Sequence, residues 1–195
     1  MISKLRIFVG ISLTLSLIST RILAQLPDQI TAGDAVVLQM PEISLIDTDH
    51  APVTLTLTTS IAGESVAASV SNSDMWIKIT SVVPGNTHRE IKAKIVGTVP
   101  PGTTLSILPT DATLTNSAGN LGDAVVSPIT LTSTDQNIIT NIGSCYTGTG
   151  STDGYQLTYT WSLDNPTANF GLLEANSGTS VTVYLTLTQS NNNGY

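Results

Sequence analysis

The sequence predicts an all-β protein: a single antiparallel β-sandwich of about nine or ten strands. Three observations lead there. Apolar residues recur at every second position in run after run, and sustained helical periodicity is missing. Turn-forming residues interrupt these runs roughly every ten residues. Ser and Thr make up about a quarter of the chain after position 24. A β-branched hydroxyl residue suits the wet face of a sheet, being stiff at χ1 and soluble.

The segment 1–24 stands apart. Lys4 and Arg6 precede an apolar-dominated run, Ile7 to Ile18, and Ile22-Leu23-Ala24 offers a cleavage site before Gln25. This is the layout of a secretory signal peptide, so 1–24 is expected to be removed and 25–195 to form one domain. The alternative is a membrane anchor. The run is well short of the ~20 apolar residues a spanning helix needs, and Gly10, Ser12, Thr14 and Ser16 dilute it. No later segment is long and apolar enough, so no transmembrane segment is expected in the mature chain. The expected location is the periplasm, the cell surface or the extracellular space.

In the mature chain the candidate strands follow in order. Ala35–Met40 and Ile43–Ile46 are weak candidates. Val53–Thr58 puts Val53, Leu55 and Leu57 on one face and threonines on the other, because successive strand residues point to opposite faces. Met75–Val82 is apolar-rich. Ile91–Ile95 alternates with Lys92 and Lys94 outward. Thr104–Leu108, Ile129–Thr132 and Gln136–Ile142 are shorter candidates. Leu157–Trp161 alternates with threonines, and Val181–Thr188 is the longest and cleanest run. Between them stand Pro84-Gly85-Asn86, Pro100-Pro101-Gly102, Asn116 to Asn120 and Asp153-Gly154, all with turn chemistry. Short strands at this spacing are expected to connect as an Ig-like or Greek-key sandwich. An outer-membrane barrel would need ~10-residue strands and aromatic girdles at two levels, and only eight aromatic residues follow position 24.

Charge narrows the function classes. The chain has 7 Lys and Arg against 14 Asp and Glu. Lys4, Arg6 and Arg21 fall in the signal segment, so the mature part carries four bases and a formal charge of −10. Such a chain is a poor nucleic-acid binder, because neutralising phosphates needs clustered Lys and Arg. The four bases, Lys78, Arg89, Lys92 and Lys94, lie close together in the sequence, with His88 beside Arg89. They form a candidate docking patch for an acidic partner, another copy or an anionic glycan. The plainer reading is that Lys92 and Lys94 point outward and guard a sheet edge.

Candidate chemistry is sparse. Cys145 is the only cysteine, which excludes a disulfide scaffold and a Cys-based zinc site. It could be a nucleophile if a base such as His50 or His88 stood beside it, or it could be a small buried residue. Asp111, Asn116, Asn120 and Asp123, and separately Asp47-Thr48-Asp49, are oxygen-rich. They are read as turn residues, with Ca²⁺ as the alternative and no other cofactor expected. Glu42, Glu64, Glu90, Glu174 or the aspartates could supply a glycosidase carboxylate pair only if the fold spaced them correctly. Trp76 and Trp161 fit core or half-core strand positions, or else a sugar-stacking platform.

Signal peptide, Thr-rich β body and the final alternating strand Val181–Thr188 after Gly178 together resemble exported β-sandwich subunits of bacterial surface fibres, such as chaperone–usher pilins. The resemblance implies a structural or adhesive role without catalysis. It marks Val181, Val183, Leu185 and Leu187 as a candidate assembly strand. Expected partners are further copies or other surface proteins. The alternatives are a secreted glycan-binding module and, third, a secreted hydrolase.

Overall fold

The computed structural model describes residues 33–48, 52–175 and 178–190. The signal peptide, the residues up to Ala32, Asp49, His50 and Tyr195 lie outside the described residues. The chain divides into a unit up to Gln39 and a larger one from Met40 to Tyr195. Of the first, Gly33–Gln39 is described; it is exposed and joins no sheet.

The larger unit contains eleven described strands: β1 (Ile43–Thr48), β2 (Ser69–Val82), β3 (Arg89–Val96), β4 (Thr103–Pro109), β5 (Ala118–Gly119), β6 (Asp123–Ala124), β7 (Ile129–Thr130), β8 (Gln136–Ile142), β9 (Cys145–Tyr146), β10 (Tyr155–Leu163) and β11 (Thr182–Gln189). Four of them are only a residue pair each, which brings the count above the expected nine or ten. The only helices among the described residues are one turn, α1 (Pro166–Asn169), and a 3₁₀ turn over Phe170–Leu172. Pro166 sits in the first turn of α1, and the Asn165 side chain accepts from Ala168 N–H.

The strands form two antiparallel sheets. One has seven strands in the order β5-β9-β2-β10-β4-β7, with β1 also on β2; the other runs β11-β3-β8-β6. Strands distant in sequence are neighbours: β10 lies between β2 and β4, and β11 beside β3. The chain changes sheets at Leu131 and Thr132. Leu131 N–H donates to Leu105 O in the first sheet, while Thr132 O accepts Ile95 N–H in the second.

The inner faces meet in one apolar core. Ile77, Ile79, Leu105, Ile107, Leu157 and Tyr159 come from the larger sheet, and Ile91, Ala93, Ile95, Ile139 and Ile142 from the smaller. These are the apolar halves of the alternating runs, so the period-2 pattern translates directly into burial. On β8 two consecutive isoleucines, Ile138 and Ile139, are both fully buried. The register between β3 and β8 shifts beside them, which lets the strand break its alternation.

Two expected strands are absent: Ala35–Met40, which is exposed and joins no sheet, and Val53–Thr58. Val53–Thr58 keeps its alternating burial, and Val53 and Leu55 pack on the core, but the segment joins no sheet. β1 pairs with β2 from Ile43↔Val82 to Thr48↔Ile77, and the same register sets Thr58 opposite Ala67, whose N–H does donate to Thr58 O at 3.0 Å. The two arms therefore part and rejoin. Between those points β2 is irregular: Asn72 Oδ1 takes Asp74 N–H at 3.0 Å, and the β2–β10 register shifts here. A backbone donor spent on a side chain is lost to a neighbouring strand.

Candidate functional site

A cleft lies where that hairpin opens. It encloses about 1150 Å³. Val53, Leu55 and Leu57 line one side and Val181, Val183 and Leu185 another, with Met75, Leu105, Tyr159 and Trp161 also in the wall. Thr54, Thr56, Thr182 and the carboxylate of Asp47 add polar groups to the wall. Tyr159 OH reaches only Met75 Sδ at 3.5 Å, and Trp161 Nε1 is buried without a hydrogen-bond partner. Glu174 also lines the cleft.

β11 stands at this cleft and ends its sheet. Its sequence, TVYLTLTQ, contains no charge and no proline. Its register with β3 is unbroken from Thr182↔Val96 to Gln189↔Arg89. Val183, Leu185 and Leu187 pack toward the core as the alternation predicts, Val181 precedes the strand, and Tyr184 is half exposed on the other face. Among the described residues no strand pairs with the far edge of β11. A regular, uncharged edge strand presents a row of backbone donors and acceptors to any other chain.

The basic residues sit elsewhere and are mostly partnered. Arg89 is buried, with Nη2 on Glu42 Oε1 at 2.5 Å. Lys92 Nζ meets Glu90 Oε1 at 2.9 Å, and Asn137 Nδ2 donates to Glu90 Oε2 at 2.8 Å. Lys94 Nζ lies 3.2 Å from Asp135 Oδ1. Lys78 faces Asp47 across the β1–β2 pair, and His88 O accepts Ser190 N–H at 2.9 Å. β3 runs between β11 and β8, so Lys92 and Lys94 do not guard an edge as the sequence suggested. They occupy the outer face of an interior strand, paired with carboxylates, and the actual edge carries no lysine.

The two tryptophans point opposite ways. Ile77 and Ile79 face the core, so Trp76 and Lys78 face outward on the larger sheet, and Trp76 lies opposite Gln156. Trp161 is on the same face of β10 as the buried Tyr159 and Leu163 and faces inward to the cleft. A shared stacking platform is therefore not formed. Trp76 instead shares the outer face of the larger sheet with a row of hydroxyls further along it. Ser71, Thr160, Ser106 and Thr130 align across β2, β10, β4 and β7, and Ser71 Oγ lies 2.8 Å from Thr160 Oγ1. Spacing of Ser and Thr within single runs gave no hint of this alignment, because the register joins residues far apart in the chain.

Cys145 is buried on β9, opposite Ser81 of β2 and Gly119 of β5. Burial pushes its thiol up from the usual 9.0 to about 11. Burial also lifts the Tyr159 hydroxyl to about 12, and raises Tyr155, helped by Cys145 and Asp111 nearby. A protonated, buried thiol is a poor nucleophile. All three groups are favoured in neutral form by the folded state. Their contribution is complete below the unfolded values and is lost as pH rises through the folded ones. Alkaline unfolding is therefore expected to begin near pH 9 and steepen toward pH 12, with Cys145→Ser removing the earliest part. Stability measured by urea titration at pH 8, 10 and 11 checks this; a flat profile up to pH 11 contradicts it.

The oxygen-rich loop residues are engaged locally. Asp111 Oδ1 accepts Ala124 N–H at 3.1 Å and Asn120 Oδ1 accepts Gly122 N–H at 3.1 Å. Asp123 Oδ2 takes Asn141 Nδ2 at 2.8 Å, and Asn116 Nδ2 reaches Asp153 at 3.1 and 3.2 Å. No cluster of three His, Cys, Asp or Glu is found among the described residues. No described helix is long and apolar enough to cross a membrane.

No protein-family model matches this chain, and no curated protein or solved structure shows significant similarity to it.

Proposed function

We propose that this is an exported, non-enzymatic structural or adhesive subunit of a cell-surface assembly, which associates with further copies through the edge of β11. The carrying observation is that edge: a strand in unbroken register from Thr182 to Gln189, without charge or proline, at the end of a sheet. Soluble β proteins ordinarily blunt such an edge with lysine, proline or a bulge. Here the lysines are spent on an interior strand. Val36, Val37, Leu38 and Met40, in the described segment before β1, are 77%, 79%, 88% and 78% exposed, an apolar stretch outside both sheets that a second copy could use to extend the sheet.

The test is light scattering and negative-stain microscopy of the mature chain beside a Thr182→Lys/Thr188→Lys variant. These positions face Val96 and Glu90, so the new lysines have no like charge directly opposite them on β3. Oligomers or filaments are expected for the native sequence and monomers for the variant, since charge on an edge blocks pairing. A strict monomer with no filament on the producing cell sinks the reading. A monomer that binds a glycan array, with binding lost in Trp76→Ala, moves the reading to a secreted glycan-binding module. The outward Trp76 on the same sheet face as the hydroxyl row favours that alternative.

A further inference from the structure

Residues 52–57 have the pattern of a strand and no strand to pair with, and they line the same cleft as β11. Backbone parity makes this arrangement specific. Ser190 N–H donates to His88 O, and in an antiparallel ladder the bonded positions recur at every second residue. Thr182, Tyr184, Thr186 and Thr188 therefore turn their N–H and C=O groups toward β3. Val183, Leu185 and Leu187 turn theirs to the free edge. On the other side, Ala67 N–H donates to Thr58 O, so by alternation back along the arm from that bond Thr56 and Thr54 address β2. Val53, Leu55 and Leu57 address the side away from it. Apart from Leu187, which lies beyond the cleft, both sets of unspent backbone groups thus belong to residues that line the cleft wall.

We propose that 52–57 is a strap that closes onto the free edge of β11, adding a fifth strand to the smaller sheet through the backbone of Val53, Leu55 and Leu57. Closure brings the two apolar walls together and sets carbonyl groups near the unpartnered indole N–H of Trp161. It also occupies the edge by which a second copy would add, so the strap competes with assembly; that regulatory role, unlike the closure itself, rests on the function proposed above. The fold does not hold the strap elsewhere: 52–57 joins neither sheet, and Thr58 O, which takes Ala67 N–H, marks where the arm rejoins the chain leading into β2.

Residue-resolved amide exchange on the dilute, monomeric mature chain tests closure whether or not the protein assembles. The amides of Val53, Leu55, Leu57, Val183, Leu185 and Leu187 should exchange about ten-fold or more slowly than open-chain rates. Leu55→Pro removes one donor on the β11 side and should abolish protection in both groups at once. Thr56→Pro removes a donor on the β2 side and should leave β11 protected. Open-chain rates for the strap in the native sequence, while Thr182 to Thr188 stay protected on the β3 side, overturn the proposal without any variant. β11 protection that survives Leu55→Pro overturns it too, because something other than the strap then covers the edge. Where assembly occurs, Leu55→Pro should shift light scattering toward larger species at equal concentration.

Discussion

Gly154→Ala is expected to cost about 4 kcal/mol, near the upper limit for single substitutions. Gly154 has φ +96°, where a side chain is disfavoured by ~1–2 kcal/mol. Collision costs more. A Cβ here would fall on the carbonyl oxygen of Ile77, with Lys78 Cα 3.5 Å away. That carbonyl cannot retreat. Ile77 is fully buried and is held on one side by Thr48 of β1 and on the other by Tyr155 of β10. Gly154 is pinned as well: Thr113 N–H donates to its carbonyl at 3.0 Å, and its own N–H donates to Thr113 Oγ1 at 3.3 Å. Urea unfolding should show a large fall in midpoint. Since small domains are stable by only about 5–15 kcal/mol, the variant could lose much of its margin. Gly171→Ala is the control, with nothing within 4 Å of the new methyl group, and should stay within about 0.5 kcal/mol. Equal effects at the two sites would refute the collision account.

Asp153→Ala should cost about 3 kcal/mol, through lost hydrogen bonds. Asp153 is a buried carboxylate, 5% exposed, in the loop between β9 and β10. It accepts Gly150 N–H at 2.6 Å and both bonds from Asn116 Nδ2. Alanine leaves a backbone donor and a side-chain amide without an acceptor, and each buried unsatisfied group costs about 1–3 kcal/mol. Asp153→Asn keeps one oxygen for Gly150 but turns an NH₂ toward Asn116, so its loss should fall between. Chemical unfolding gives the totals, and the Gly150 amide should exchange faster in both variants. If the alanine variant lost less than about 0.5 kcal/mol, the ordinary scatter of surface substitutions, the loop would be held by other bonds.

The two sheets were legible wherever alternation was clean. Gln136–Ile142 matches β8 residue for residue, Val181–Thr188 is offset by one from β11, and Leu157–Trp161 is the middle of β10. Alternation reports burial on one face, and that much held even for Val53–Thr58. It does not report whether a backbone finds a partner, which is why that segment reads as a paired strand and is not one. The N-terminal half of β2 escapes the pattern for the complementary reason. Ser69 to Asp74 is nearly all polar, yet it is paired along β10 and carries the hydroxyl row on its outer face. Lys92 and Lys94 are outward as their alternation implies, but whether their strand lay at an edge depended on β11 arriving from far downstream.

By itself, then, the sequence determined an all-β chain, the faces its strands bury, a single buried-or-reactive cysteine and an acidic body with one basic stretch. These follow from side-chain chemistry taken in order along the chain, and local order suffices to decide them. Only the tertiary structure decided that β11 is the edge, that the basic stretch is neutralised by Glu42, Glu90 and Asp135, that Trp76 and Trp161 face apart, and that 52–57 lies unpaired across a cleft. Each of these is a relation between segments brought together by register. Register is set by the hydrophobic faces of both partners at once and by the bulges that interrupt them, so no single segment contains it.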